Sequence, residues 1–350
     1  MIIVFNTACP PGLAEGSTAH CLLPSVMSFT RDNVPARRVA QAVGLGGIAV
    51  GTVAVVSMFQ SRPINLLIAA ASFVPLLIAV TAAGLVVSLV FRRWMLVTAS
   101  AVLLAVVSAV VGPLYVADGH VADDEIPRGQ TLRIMQANLL FGQADPGSVV
   151  ATVRDNDVDA LTVQELTHPL AQAMNDLGLD DLLPYQYLVP DDAGGAGAGI
   201  YSRYPLAEMR ELNGFGPTNL VARVDLPTSF ELVAVHPGPA YVTPPDVWTA
   251  ELDTLRVALE DLAAAGGPVV VSGDFNTTYL HRQFRDLLDA GYSDAADQLG
   301  TGIIPTYPTD KGFPAVIGID HVLTRGAHAQ SLQRITVEGS DHHGLIVDVS

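Results

Sequence analysis

Two kinds of apolar run divide this chain. Between residues 39 and 117 apolar residues follow one another with no polar face: Val39 to Phe59 is 21 residues without a charge, Ile64 to Phe91 is 28, and Trp94 to Val116 is 23. A bilayer span needs about 20 mostly apolar residues. A helix buried in a soluble bundle normally keeps a polar side, so the pattern predicts three membrane-spanning helices. Pro75 falls inside the second and Pro113 near the end of the third, where neighbouring helices can compensate a kink. Gly44, Gly46, Gly47 and Gly51 lie on the first, and small residues allow close helix packing.

From Thr131 onward the apolar runs are short, and many stop at a polar residue. Leu132 to Asn138, Ala160 to Val163, Ala198 to Ser202, Leu220 to Val224, Glu231 to Val235 and Val269 to Val271 predict strands. Pro146 to Asn156 predicts a helix, as does Pro245 to Ala265 with apolar spacing through Val247, Leu252, Leu255, Leu259 and Leu262. Strands and helices alternate, but several strands are hairpin-like neighbours, which favours mixed sheets over a purely parallel one. The chain thus divides into a leader at 1–38, a three-helix membrane region at 39–117, a polar linker at 118–130 and a folded domain at 131–350. The leader has no sustained periodicity and is expected to be disordered. Met27 offers a second plausible start beside Met1, and Met1-Ile-Ile-Val-Phe is too short and lacks the basic flank of a secretory signal.

Charge sharpens that division. Residues 1–117 carry 6 Arg and 2 acids, whereas residues 118–350 carry 12 Lys+Arg and 33 Asp+Glu, a net −21. Arg31, Arg37 and Arg38 precede the first span, Arg92-Arg93 follow the second, and Asp118, Asp123, Asp124 and Glu125 follow the third. The positive-inside bias then puts the N-terminus and the Arg92-Arg93 turn in the cytoplasm, with Arg62 the one dissenting charge, and the acidic domain outside. Such a domain repels polyanions, which argues against tight sequence-specific nucleic-acid binding and leaves a metal-assisted nuclease open. Both cysteines, Cys9 and Cys21, lie in the leader, so no disulfide framework or cysteine-rich metal site belongs to the acidic domain.

The polar residues that follow the short runs are, in order, Asn138, Glu165, His236, Asp274, Asn276, Asp320, Asp341 and His342. Strand ends gather such residues along one edge of a sheet core. Phosphoester hydrolysis needs a cation on the phosphoryl oxygens, donors to hold them, an oriented water and a protonated leaving oxygen. Carboxylate and amide oxygens suit magnesium, and histidines suit proton transfer.

With Asn138-Leu139, Gln164-Glu165, Ile200-Tyr201-Ser202-Arg203-Tyr204-Pro205, His236-Pro237, Gly273-Asp274-Phe275-Asn276, Ile319-Asp320-His321 and Ser340-Asp341-His342 in this order, the chain resembles the endonuclease/exonuclease/phosphatase superfamily, the fold of deoxyribonuclease I. The resemblance covers residues 131–350 and implies an α/β (α+β) four-layer sandwich, two mixed sheets inside and helices outside, with a magnesium-dependent phosphoester hydrolase site. Manganese is the alternative ion. Glu165 is expected as the main metal ligand, with Asn138 and Asp341. Asp274 and Asn276 would orient the attacking water and the phosphate. His342, its ring fixed by Asp320, would serve as base or charge stabiliser, and His236 as proton donor or phosphate contact. Where the family commonly has a proline two residues beyond the Ser-Asp-His histidine, this chain reads His342-His343-Gly344.

Other residues carry plainer expectations. The Gly194-to-Gly199 stretch lacks the G-x-G-x-x-G spacing and leads into a strand, so it is expected to be a loop. His168, His281 and His328 have no acidic partner at a telling spacing and are expected at the surface, and Asp180-Asp181 and Asp191-Asp192 in solvated turns. If Ser340-Asp341-His342 runs into a strand, His342 and His343 face opposite sides. The competing reading is a catalytically silent binding or sensory ectodomain on the same scaffold; it would be expected to lose some site residues, and none is lost. Substrate identity stays open among nucleic acid, lipid headgroup and other phosphoesters.

Overall fold

The computed structural model describes residues 34–117, 131–193 and 195–350. The expected leader, apart from residues 34–38, lies outside the described residues, as do the expected linker at 118–130 and Gly194.

The apolar region forms α1 (Val34–Phe59), α2 (Asn65–Ser72), α3 (Val74–Val90) and α4 (Trp94–Val111), the last running into a 3-10 turn at Gly112–Tyr115. Helix α1, and α4 with its turn, are each long and apolar enough to cross a membrane. The second expected span is broken, because α2 and α3 meet at 79°. Pro75 sits in the first turn of α3, where its missing N–H costs little but its ring blocks a straight continuation from α2. Two helices therefore qualify as spans, or three if the bent pair counts as one. Their packing rests on small residues: a Cβ on Gly47 would lie 3.1 Å from Gly84 Cα, and Thr81 Oγ1 donates to the Gly47 carbonyl at 3.2 Å.

The rest of the described chain builds β1 (Leu132–Asn138), α5 (Pro146–Asp155), β2 (Ala160–Gln164), α6 (His168–Asp176), α7 (Leu179–Leu182), β3 (Tyr185–Val189), β4 (Ala198–Ser202), β5 (Leu206–Leu212), β6 (Asn219–Val224) and β7 (Phe230–Val235). Then come α8 (Pro245–Ala265), β8 (Val269–Asp274), α9 (Arg282–Leu287), β9 (Ser293–Asp294), α10 (Ala295–Gln298), β10 (Asp320–Arg325), β11 (Ala329–Thr336) and β12 (His343–Val349). They form two six-stranded sheets in the orders β11-β12-β1-β2-β4-β3 and β5-β6-β7-β8-β10-β9. Each sheet has one parallel pair at its centre, β1 with β2 and β7 with β8, flanked by antiparallel neighbours. Mixed sheets between helical layers are thus the observed architecture.

Strand alternation sorts side chains into layers. Leu132, Ile134, Ile200, Leu220, Leu232, Val270, Val322 and Val347 fill the space between the sheets. Met135, Ala137, Leu161 and Val163 face outward onto Val150 and Val153 of α5 and Leu170 and Met174 of α6. Val233, Val235, Val269 and Val271 face the other way onto Leu255 and Leu259 of α8 and Phe284 of α9. The inter-sheet face changes character along each central strand. On β1 it runs Leu132, Ile134, then Gln136 and Asn138; on β8 it runs Val270, then Ser272 and Asp274. The apolar half anchors the sandwich, and the polar half becomes a site at one end.

Candidate active site

The two parallel pairs end at the same edge, so residues at their C-terminal ends converge. Asn138 ends β1, Glu165 follows β2, His236 follows β7 and Asp274 ends β8. Antiparallel neighbours begin where these end: Asp320, the first residue of β10, pairs with Asp274, and His342 stands one residue before β12. Close approach of β7 and β8 needs Gly273, since a Cβ there would lie 2.1 Å from the Val235 carbonyl oxygen. Glu165 and Asn276 adopt left-handed backbone, at φ 59° and 48°, a conformation side chains other than glycine rarely take and which clusters at functional sites.

All eight expected site residues border or underlie one cavity of about 260 Å³, whose lining includes Glu165, His236, Asp274, Asn276, Asp341 and His342. Asn138 lies beneath it, donating through Nδ2 to Glu165 Oε1 at 3.0 Å and to Asp274 Oδ2 at 3.2 Å. The second Glu165 oxygen accepts the Phe141 N–H at 2.7 Å. Asp274 Oδ1 accepts the Asn276 N–H at 2.8 Å. His236 Nε2 lies 3.8 Å from Asp274 Oδ2 and 3.9 Å from Glu165 Oε1, and His342 Nε2 lies 3.7 Å from Asp274 Oδ2. Asp320, also buried, ties His342 Nδ1 at 2.9 Å through Oδ2 and accepts from Gln136 Nε2 at 2.7 Å through Oδ1.

Burial and facing charges set the protonation of these groups. Burial pushes Asp274 up to about 7 and lifts Glu165 and Asp341 above the usual carboxylate range. It pushes His236 down to about 4, so that ring is neutral at pH 7. Burial alone would lower His342, but the Asp320 and Asp274 carboxylates outweigh it and raise it to about 10. Asp320 is held below its ordinary value: burial opposes this, and the charge of His342 with hydrogen bonds from His342, Thr306 and Gln136 prevails.

Three carboxyl groups raised by burial around one cavity mean a shortage of positive charge, and a divalent cation fits that shortage. Oxygen donors are the right chemistry for magnesium or manganese. Asp274, Asp320 and His342 also bring donor atoms within 4.8 Å of one another. In that trio Asp320 lies behind the cavity and is engaged by His342 and Gln136. Glu165 lines the cavity itself and is a carboxylate that could hold a metal there.

Several partners escaped the sequence reading. Gln136 and Gln164 form a buried relay behind Asp320, with Gln136 Nε2 also donating to Gln164 Oε1 at 3.0 Å. Ser340 Oγ donates to the Asn138 carbonyl at 2.8 Å and accepts the His342 N–H at 3.0 Å, joining two site segments. Asn219 Oδ1 accepts the His236 N–H at 2.7 Å. The Tyr307 ring lies 4.9 Å from that of His342. For Gln136 the available signal was strand period, since it falls two residues before Asn138 on β1; Gln164 is the last residue of β2, just before Glu165.

Two expectations need correction. His342 precedes β12 in a bend, so strand alternation does not separate it from His343; the turn held by Ser340 does. His343 donates its N–H to the Thr306 carbonyl at 2.8 Å, and its Nδ1 lies 3.2 Å from the Ile335 carbonyl. His281 is buried, not superficial, and lies against α2 with Nε2 2.9 Å from the Ile68 carbonyl. His168 is at the surface as expected, its Nδ1 3.2 Å from Asp192 Oδ2 in an exposed pair.

A two-sheet sandwich with these residues at one edge defines a phosphoesterase fold. The chain belongs to the Endonuclease/Exonuclease/phosphatase family, whose model matches residues 135–342; members typically use divalent metals. No curated protein matches the chain. Among solved structures it is similar to D. rerio TDP2 complexed with single strand DNA product, at 19% identity and TM-score 0.53 over 63% of this chain and 99% of that one. The 3' phosphatase NExo from Neisseria bound to product DNA hairpin is similar at 18% identity and TM-score 0.51, over 63% and 99%. An endonuclease/exonuclease/phosphatase from Bacteroides vulgatus is similar at 16% identity and TM-score 0.50, over 63% and 99%. At these identities the likeness is one of fold.

Proposed function

We propose that this chain is a membrane-tethered, magnesium-dependent phosphoester hydrolase whose catalytic domain, residues 131–350, faces away from the cytoplasm. The observation that carries the reading is the convergence, from both sheets, of Glu165 and Asn138 with Asp274 and the Asp320–His342 pair around one cavity. Glu165 would hold the cation, with Asn138 and Asp341 completing the protein's share. When bound, that cation supplies charge neutralisation on the phosphoryl oxygens. Asp274 orients the attacking water and accepts its proton, and Asn276, fixed by donating Nδ2 to the Pro237 carbonyl at 2.9 Å, helps hold the phosphoryl group. His342, oriented by Asp320, places positive charge on a phosphoryl oxygen. His236, neutral and buried, offers an N–H to the phosphate. Manganese would serve in place of magnesium.

A membrane location is supported by the two unbroken apolar helices and the bent pair, and its orientation by Arg37, Arg38, Arg92 and Arg93 at one end of the bundle. Purified full-length protein in detergent should cleave a generic phosphodiester with magnesium, and Glu165→Gln should lose most of that activity. Full activity in excess chelator would remove the metal from the mechanism. External protease on intact cells should degrade the catalytic domain but spare the Arg92-Arg93 turn; a domain protected until lysis would reverse the topology.

A further inference from the structure

The sandwich does not hang from its helices; it is seated on them. Three backbone carbonyls at one end of the bundle meet groups of the sandwich: Arg285 Nη2 donates to Met58 of α1, the His281 ring meets Ile68 of α2 at 2.9 Å, and the Gly302 N–H donates to Leu114 after α4 at 2.8 Å. Ala54, Met58, Val74 and Val107 cluster with Leu280 in the same seam. Helix α2, turned 79° from α3, meets the sandwich in this same region. Its Ile68 is buried against Trp248 and Leu252 of α8 and against Ala240, while Leu66 stays 72% exposed.

Ala240 belongs to the loop that forms the mouth of the active site. Within the same loop Pro237 accepts from Asn276, the Gly238 N–H is fixed by Glu251, and Pro239, Tyr241 and Val242 line the cavity. Tyr241 and Val242 are 77% and 67% exposed, and Phe141, also lining the cavity, is 52% exposed. Large apolar and aromatic side chains bared together at a rim mark a contact surface, and tyrosines favour the lipid–water boundary. One short loop thus carries both the seat on α2 and the rim of the cavity.

Resting on the proposed hydrolase and its membrane anchoring, we infer that the mouth opens at the membrane surface and that the substrate is a phosphoester carried by a bilayer-resident amphiphile, its tail remaining in the lipid. The net −21 of residues 118–350 works against a polyanionic nucleic acid approaching from solution, whereas a single headgroup delivered along the membrane meets the rim first.

The test uses the full chain in phosphatidylcholine vesicles with magnesium and two esters that differ only in tail, hexadecyl and ethyl p-nitrophenyl phosphate. Confinement to the membrane raises effective concentration, so the hexadecyl ester should be cleaved about a hundredfold faster at equal bulk concentration. Leu66→Asp on α2 should bring the hexadecyl rate down toward the ethyl rate and leave the ethyl rate unchanged. A bimane label on Val242→Cys, in a Cys9→Ser, Cys21→Ser background, should be quenched by brominated lipid. The same label on Leu177→Cys, exposed beyond α6 in the other outer layer, should not. Equal rates for the two esters, or equal quenching at the two positions, overturns the inference while the hydrolase stands. Cleavage of neither ester, with Val242 still quenched, rejects the hydrolase and the substrate class together but keeps the mouth at the membrane.

Discussion

Asp320 and His321 are consecutive on β10, and each belongs to a buried aspartate–histidine pair, but the two pairs occupy different worlds. Asp320 points between the sheets, meets His342 at 2.9 Å and stands behind the cavity. His321 points outward, meets Asp294 at 2.6 Å, and is closed in by the rings of Phe275 and Phe284 and by the Thr277 carbonyl, 3.3 Å from its Nε2. The chemistry of the two pairs is nearly the same. What differs is access: Nε2 of His342 faces Asp274 beside the cavity, whereas Nε2 of His321 ends on backbone. A buried aspartate–histidine pair is therefore a catalytic candidate only when its distal nitrogen reaches open space, and one step along a strand decides that.

The largest effect expected is on the first pair. His342→Ala should lower turnover per folded molecule roughly 100- to 1,000-fold, the usual worth of a group placed against developing charge, and should also lower the unfolding temperature, because Asp320 is left buried and unpaired. Unchanged turnover per folded molecule would make this pair purely structural and erase the contrast. His321→Ala should lower the unfolding temperature alone. Leaving Asp294 buried and unpaired costs about 3–5 kcal/mol, read as a large fall in unfolding temperature, with turnover per folded molecule preserved. Loss of turnover without loss of stability would mean that the outward pair also acts on the reaction.

The pH dependence sharpens the same contrast. Burial alone would lower His321, but the charge and hydrogen bond of Asp294 outweigh it and leave it above its ordinary value. A folded-state value above the unfolded one means stability that is fully present below about pH 6.5 and lost as pH rises through the folded value. Unfolding temperatures of the parent and of His321→Asn should accordingly converge as pH is raised. A gap that widens with pH would show the ring to be buried neutral. The smallest effect is expected at His343, whose Nδ1 meets the Ile335 carbonyl and which does not line the active-site cavity: His343→Ala should cost less than about tenfold in turnover, well below the worth of acid–base help.

Much of the sandwich was legible because strand period and breakers are local. Leu132–Asn138, Ala198–Ser202 and Pro245–Ala265 have the bounds that their apolar spacing predicts. Strands β3, β5 and β11 were harder to see. Their exposed or half-exposed side chains, such as Met209 and Tyr185, break the alternation that signals a buried face. The polar residues at strand ends were legible as candidates, since each closes an apolar run. The roles of Gln136, Gln164 and Ser340 were not, because what a buried amide or hydroxyl bonds to depends on partners that are distant in sequence. The surface reading of His281 failed for a related reason, as its partner is a backbone carbonyl 213 residues away.

By itself the sequence determined where apolar stretches are long enough to span a bilayer, which segments become central strands, and which polar residues end them. These are short-range matters of period, length and charge. Only the tertiary structure decided that the second apolar stretch bends at Phe73 and lays α2 against Trp248, and that Asp320 meets His342 while its neighbour meets Asp294. It also decided that the loop at Ala240 joins the apolar helices to the rim of the cavity. Each depends on two surfaces meeting across long sequence separations, where packing and the need to satisfy buried polar groups choose the partner.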